Sequence, residues 1–250
     1  MMFKLNKFLA LLIFSLASLF LTSEESLEVK NEYRQVVSEI IEILERNHFK
    51  KNIDINDQKV MDNFLMNLDK EKILLTSVEI DSYSTKFKNI FNLDEIFKIY
   101  ENYSNRSLEL INYQIDVINS INDSNDLNTT EFIEKSREDE KRFNSLDAIK
   151  NYHALLIKNE FISILLSNEN FENSRSKLLK RLKNRVKSLK RISSDDIFSL
   201  YTNSITSLYD PHTNYLSPKS QEDFEINMSL SLEGIGAILS TEDGITKIVR

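Results

Sequence analysis

No cysteine occurs in these 250 residues, which excludes a disulfide, a thiolate metal site and a cysteine nucleophile. Backbone punctuation is almost as scarce. Three glycines and two prolines are far too few for a chain of strands and tight turns, so a mainly helical protein is expected. Only three histidines are present, His48, His153 and His212, and none stands in a His-x-x-x-His spacing; no metal and no cofactor is expected. What remains is ordinary globular material, 41% hydrophobic and 28% charged, which argues against a disordered tail and supplies enough apolar residues for one sizeable helical core.

Long apolar runs are also missing, with one exception near the start. Lys4 and Lys7 precede a run from Phe8 to Leu21, after which Thr22-Ser23 meets Glu24-Glu25. Fourteen residues at helical rise span about 21 Å, short of the roughly 30 Å hydrocarbon core, so residues 1–23 read as a secretory signal peptide. Leu21 departs from the small-x-small cleavage rule if Ser23 ends the signal, which keeps an uncleaved anchor as the alternative. Lipid attachment after the run is excluded for want of cysteine. Removing 1–23 takes away two lysines and no acid, moving the net charge from −7 to −9. So acidic an exported protein is not a general nucleic-acid binder.

From Glu24 to about Ser207 apolar residues recur at helical spacing. Val36, Ile40, Ile43 and Leu44 form one stripe. Val60, Phe64 and Leu68 form another, with Asp54 or Asn56 as cap. The longest candidate covers 94–122, where Phe97, Tyr100, Leu108, Ile111, Ile115 and Ile118 fall on one face, and the polar run from Asn122 to Asp126 ends it. Further helices are expected at 131–143, 146–166, 171–191 and 194–208. No repeat of tetratricopeptide spacing is present.

The helix at 171–191 carries eight basic residues between Lys177 and Arg191 with no acid, interleaved with Leu178, Leu182, Val186 and Leu189. An amphipathic helix with a leucine stripe in the core and a solvated basic face is the plain reading. A docking face for an acidic partner and a contact with anionic lipid are the alternatives. His48 and His153 read as packed or capping residues. His212 lies two residues from Asp210, but a catalytic triad is a matter of geometry and residues two apart in a proline turn rarely aim at each other, so a structural role is expected: a hydrogen bond holding the local chain.

The chain spends its hoarded punctuation near the end. Asp210-Pro211-His212-Thr213-Asn214-Tyr215-Leu216-Ser217-Pro218 holds both prolines, and Glu233-Gly234-Ile235-Gly236-Ala237-Ile238-Leu239 holds two of the three glycines. Asp210 can accept from nearby amides and Pro211 presets φ for a turn. Ser217 can cap a short helix whose first residue is Pro218, running to about Met228. Gly234 and Gly236 can let successive N–H groups converge as an anion nest before a strand with an open edge, or they simply mark a bend at a strand start.

Together with Ser193-Ser194-Asp195-Asp196-Ile197-Phe198 and Met228-Ser229-Leu230-Ser231-Leu232, these two motifs resemble the tail-specific, or carboxy-terminal processing, serine proteases of the bacterial periplasm. The resemblance is dense over 188–239 and diffuse before it. It implies a helical N-terminal domain (24–207), a connector with a short helix (208–228) and the start of a PDZ domain (229–250): a mainly α fold followed by an incomplete PDZ-like β-hairpin. It implies that Gly234, Ile235, Gly236 and Ala237 bind a peptide carboxylate while Ile238 and Leu239 run along the peptide. The C-terminal tails of exported proteins would be the substrates, with a lipoprotein adaptor as a further candidate partner. No residue here matches the family's catalytic serine or lysine, so the catalytic residues are expected downstream and the 250-residue chain is expected to be inactive alone. A non-catalytic helical adaptor acting through its basic helix, and a small binding protein ending in a hairpin, are the rival readings.

Overall fold

The computed structural model of the chain describes residues 27–51, 53–127, 130–134, 136–167, 170–229, 239–242 and 245–248. Among these residues there are eight α-helices: α1 (Tyr33–Asn47), α2 (Asp57–Leu68), α3 (Ser77–Lys86), α4 (Leu93–Ser120), α5 (Leu146–Leu165), α6 (Phe171–Leu189), α7 (Ser194–Thr206) and α8 (Pro218–Met228). The fold is mainly α, as the shortage of glycine and proline requires. Two compact units divide the chain, Met1–Asn214 and Tyr215–Arg250.

Helix starts in the first unit follow from side chains that satisfy orphan amides. Asn56 accepts from the Gln58 and Lys59 amides at the start of α2. Thr76 with Glu79, and Ser193 with Asp196, close reciprocal capping boxes on α3 and α7. The short α3 was absent from the periodicity reading because its ten residues bury only Tyr83.

The 28-residue α4, about 42 Å long, is the spine of this unit. Its first half buries Leu93, Ile96 and Ile99 beside the shell of α1, α2 and α7, where Tyr33 stacks on Phe198 at 4.0 Å and Phe64 meets Tyr201 edge-on at 5.8 Å. Its second half contributes Ile111 and Ile118 to a separate cluster with Ile157, Phe161 and Ile164 of α5 and Leu178 and Leu182 of α6. Two cores therefore share one helix. In α1 the inward residues are Tyr33 and Val37, whereas Ile43, placed on the expected stripe, is exposed.

Segment 131–143, expected as a helix, is not one: its described residues form an irregular strap with a turn at 138–139. The reason is tertiary. Glu71 accepts from the Arg137 amide at 2.6 Å and from the Ser136 hydroxyl; the Lys72 ammonium donates to the Glu138 and Glu140 carbonyls; the Ser77 amide donates to the Phe143 carbonyl at 3.0 Å. Those partners claim backbone groups that a helix would have to pair internally. Lys72 itself sits at φ 56, the left-handed region, inside the tight turn that presents them.

In the second unit, Ser217 accepts from the Ser220 amide at 3.2 Å and Pro218 occupies the first helical turn of α8. Beyond it β1 (Leu239–Glu242) pairs antiparallel with β2 (Ile245–Ile248), Leu239 opposite Ile248 and Glu242 opposite Ile245.

Candidate functional site

Of the residues assigned to peptide binding, only Leu239 falls within the described chain, as the first residue of β1; Gly234, Ile235, Gly236, Ala237 and Ile238 lie outside it, as does the signal segment 1–23. Among the described residues no helix is long and apolar enough to cross a membrane, and no three His, Asp or Glu side chains converge as a metal site.

The run 210–214 at the end of the first unit is a hydrogen-bonded turn. The Asp210 carboxylate accepts from the His212 amide at 2.9 Å, and its carbonyl accepts from the Thr213 amide at 3.0 Å. The Thr206 hydroxyl donates to the Thr213 carbonyl at 2.7 Å. His212 helps hold this turn through its backbone, as expected of it structurally, while its side chain is exposed; the ring that reaches the turn is that of His48, whose Nε2 lies 3.2 Å from the Thr213 hydroxyl and which packs edge-on against Tyr209 at 5.3 Å. Asp210 and His212 thus meet through backbone and not through a catalytic imidazole.

The basic helix α6 uses its leucines as expected, with Leu178 and Leu182 fully buried. Its cationic face is not merely solvated. Arg181 and Arg185, one turn apart, both reach Glu160 of α5, at 3.2 and 3.3 Å. Two guanidinium groups on one carboxylate leave an excess positive charge at that point.

That point lies at the rim of a large cavity in the helical unit. Where the two cores diverge along α4, a cavity of ≈ 1150 Å³ opens between α4, α5, α6, α7 and the α2–α3 turn. It contains none of residues 210–218. The walls are mostly apolar, from Leu110, Ile111, Leu156, Leu189, Ile192 and Leu200. Its floor is polar. His153 is 6% exposed, and its Nε2 lies 3.0 Å from the Ile73 carbonyl, which can only accept; Nε2 therefore carries the proton and Nδ1 is left to accept from the Gln114 amide at 3.1 Å. Burial holds the His153 pKa below the usual histidine range, against the raising effects of the Ile73 carbonyl and Asp69, and the charge of Arg185 lowers it further. Tyr100, 5% exposed, lines the same space and its hydroxyl makes no hydrogen bond with another described residue. Burial, with Tyr103 and Asp196 adding, pushes that hydroxyl up to about 12, so at neutral pH it is a donor.

A model of the family described as "Tail specific protease N-terminal domain" matches residues 40–219, from within α1 to the start of α8. The chain belongs to this family. A relative in Haemophilus influenzae, a tail-specific protease, is 32% identical over 211 residues, which is 80% of this chain and 30% of the relative. The chain thus spans about a third of the length of the curated relative it matches. The family match encloses the His48–Thr213 clasp and the whole cavity, while Gly234 to Leu239 lie C-terminal to it. Neither the cavity nor the clasp was legible beforehand. The cavity draws on five separate elements, and the clasp joins residues 165 apart.

Proposed function

We propose that this chain is the N-terminal part of a periplasmic tail-specific serine endopeptidase, exported by the segment 1–23, which selects proteins by an apolar C-terminus. In this reading Gly234, Ile235, Gly236 and Ala237 present backbone amides to the substrate's terminal carboxylate. Ile238 and Leu239 lie beside the bound tail, which pairs with the strand edge that begins at β1. The helical unit is the scaffold ahead of that site, and the serine and lysine that cut the chain belong to sequence beyond it. Exported proteins supply the substrates, with a lipoprotein adaptor and peripheral membrane contact as partners of the whole enzyme.

The observation that carries the reading is the family match over 40–219, ending 14 residues before Glu233-Gly234-Ile235-Gly236-Ala237. Amides, not side chains, do the binding in this account, so bulk is what should hurt. In the full-length enzyme Gly236→Val is expected to weaken a peptide with an apolar, free C-terminus by about 1–3 kcal/mol, the range for leaving a buried polar partner unpaired. Ala237→Ser should do far less. A fluorescence titration in which Gly236→Val binds as tightly as the unaltered enzyme would reduce the glycine pair to a bend.

A further inference from the structure

We propose that the cavity between α4, α5, α6 and α7 is a second peptide site, taking a short apolar segment that ends in a free carboxylate. The inference rests on the helical unit alone and does not need the reading of Gly234 to Ala237.

Three observations point to this occupant. The first is size and lining: ≈ 1150 Å³ exceeds the roughly 300–1,000 Å³ of small-ligand pockets, and its apolar walls from two divergent cores offer seats for several side chains. The second is charge. The stripe of α6 that faces the cavity reads Arg181, Asn184, Arg185, Ser188, Leu189, spaced by helical turns. Glu160 neutralises one of the two guanidinium groups, and no other acid lies between 177 and 191, so the rim keeps donors and one net positive charge for a carboxylate. The field of that rim reaches the floor, since Arg185 is among the groups lowering the pKa of His153.

The third observation separates a peptide from an acyl chain. A hydrocarbon tail has no use for polar groups inside its pocket, yet this one is lined by Ser107, Gln114, His153 and Tyr100, whose hydroxyl makes no hydrogen bond with another described residue. The exposed Asn159 and Asn184 carboxamides add further donors and acceptors at the rim. Peptide N–H and C=O groups would pair with them.

The test uses the 250-residue chain and a fluorescein-labelled decapeptide ending in four apolar residues with a free carboxylate, read by anisotropy. Saturable binding is expected. It should weaken tenfold or more in Arg181→Gln/Arg185→Gln, weaken about as much when the peptide is amidated, and weaken severalfold in Tyr100→Phe. Lys59→Gln, at an exposed position outside the cavity and the glycine loop, should leave it unchanged. The arginine changes lie at exposed positions, and thermal melting checks that both variant proteins remain folded. The proposal is overturned by absence of saturable binding at millimolar protein, by binding indifferent to the arginine and tyrosine changes, or by binding lost in Gly236→Val alone. Displacement of the peptide by dodecanoate, together with equal binding of the amidated peptide, would also overturn it and assign the cavity to an acyl chain.

Discussion

Replacing Asp69 by alanine should damage this protein more than any other single change outside its apolar cores. The carboxylate follows the last residue of α2 with its side chain 1% exposed, and four donors converge on it: the amides of Ile73 at 2.9 Å, Leu74 at 3.2 Å and Leu75 at 3.0 Å, and the Arg142 guanidinium at 2.5 Å. Arg142, 14% exposed, also donates to the Asp69 and Leu75 carbonyls, so one carboxylate shapes the α2–α3 turn and ties down the strap of 131–143. Removing it strands a half-buried cation and three amides. Breaking a buried pair from one side costs about 3–5 kcal/mol, and the orphaned amides place Asp69→Ala at the upper end of that range. For a domain of this size each kcal/mol lowers Tm by about 2–4 °C, giving a drop of roughly 8–20 °C. Asp69→Asn keeps an acceptor and the shape, and should cost about 1–3 kcal/mol. Arg142→Met should also cost less than Asp69→Ala, because the carboxylate keeps its three amides. Urea unfolding followed by far-UV circular dichroism gives all three values. An Asp69→Ala variant within 1 kcal/mol of the parent, or one more stable than Arg142→Met, would refute the assignment of Asp69 as the hub.

Two further outcomes follow from named contacts. His153 is held neutral in the fold, so the unfolded chain takes up a proton that the native state resists; the stability it contributes is complete above about pH 6.5 and is lost as pH falls below that value. His153→Gln should flatten the stability profile below about pH 6.5, which urea midpoints at several pH values will show, and an unchanged slope would contradict it. Ser193→Ala opens the capping box of α7, where the Ser193 hydroxyl accepts from the Asp196 amide at 3.3 Å and the Asp196 carboxylate from the Ser193 amide at 2.8 Å; a loss of about 1 kcal/mol is expected by the same assay.

Helices whose period and cap agree were legible in the sequence: α2 from Asn56 and its stripe, α8 from Ser217-Pro218, α6 from its leucines. Where only one signal was available the reading slipped. The 131–143 segment has a composition that a solvated helix could use, and nothing local forbids one; its irregular form is held by Glu71 and Lys72, more than sixty residues earlier. α3 has too few buried residues to show a period, although Thr76 and Glu79 spell its capping box. The hydrogen bond of His212 to Asp210 was legible, and the part played by the His48 ring was not, since chain proximity to Asp210 was visible and spatial proximity to Thr213 was not. The cavity depends on α4 serving two cores at once, a property of packing and not of any stretch of residues.

The central claim is that this helical unit belongs to an enzyme that reads the end of its substrate. The most direct measurement is the rate at which the full-length protein degrades an unfolded exported protein ending in apolar residues, set against the same protein with two aspartates added at its C-terminus. The account predicts that the apolar-ended form is degraded at least tenfold faster. Equal rates for the two forms, or no cleavage of either, would contradict it.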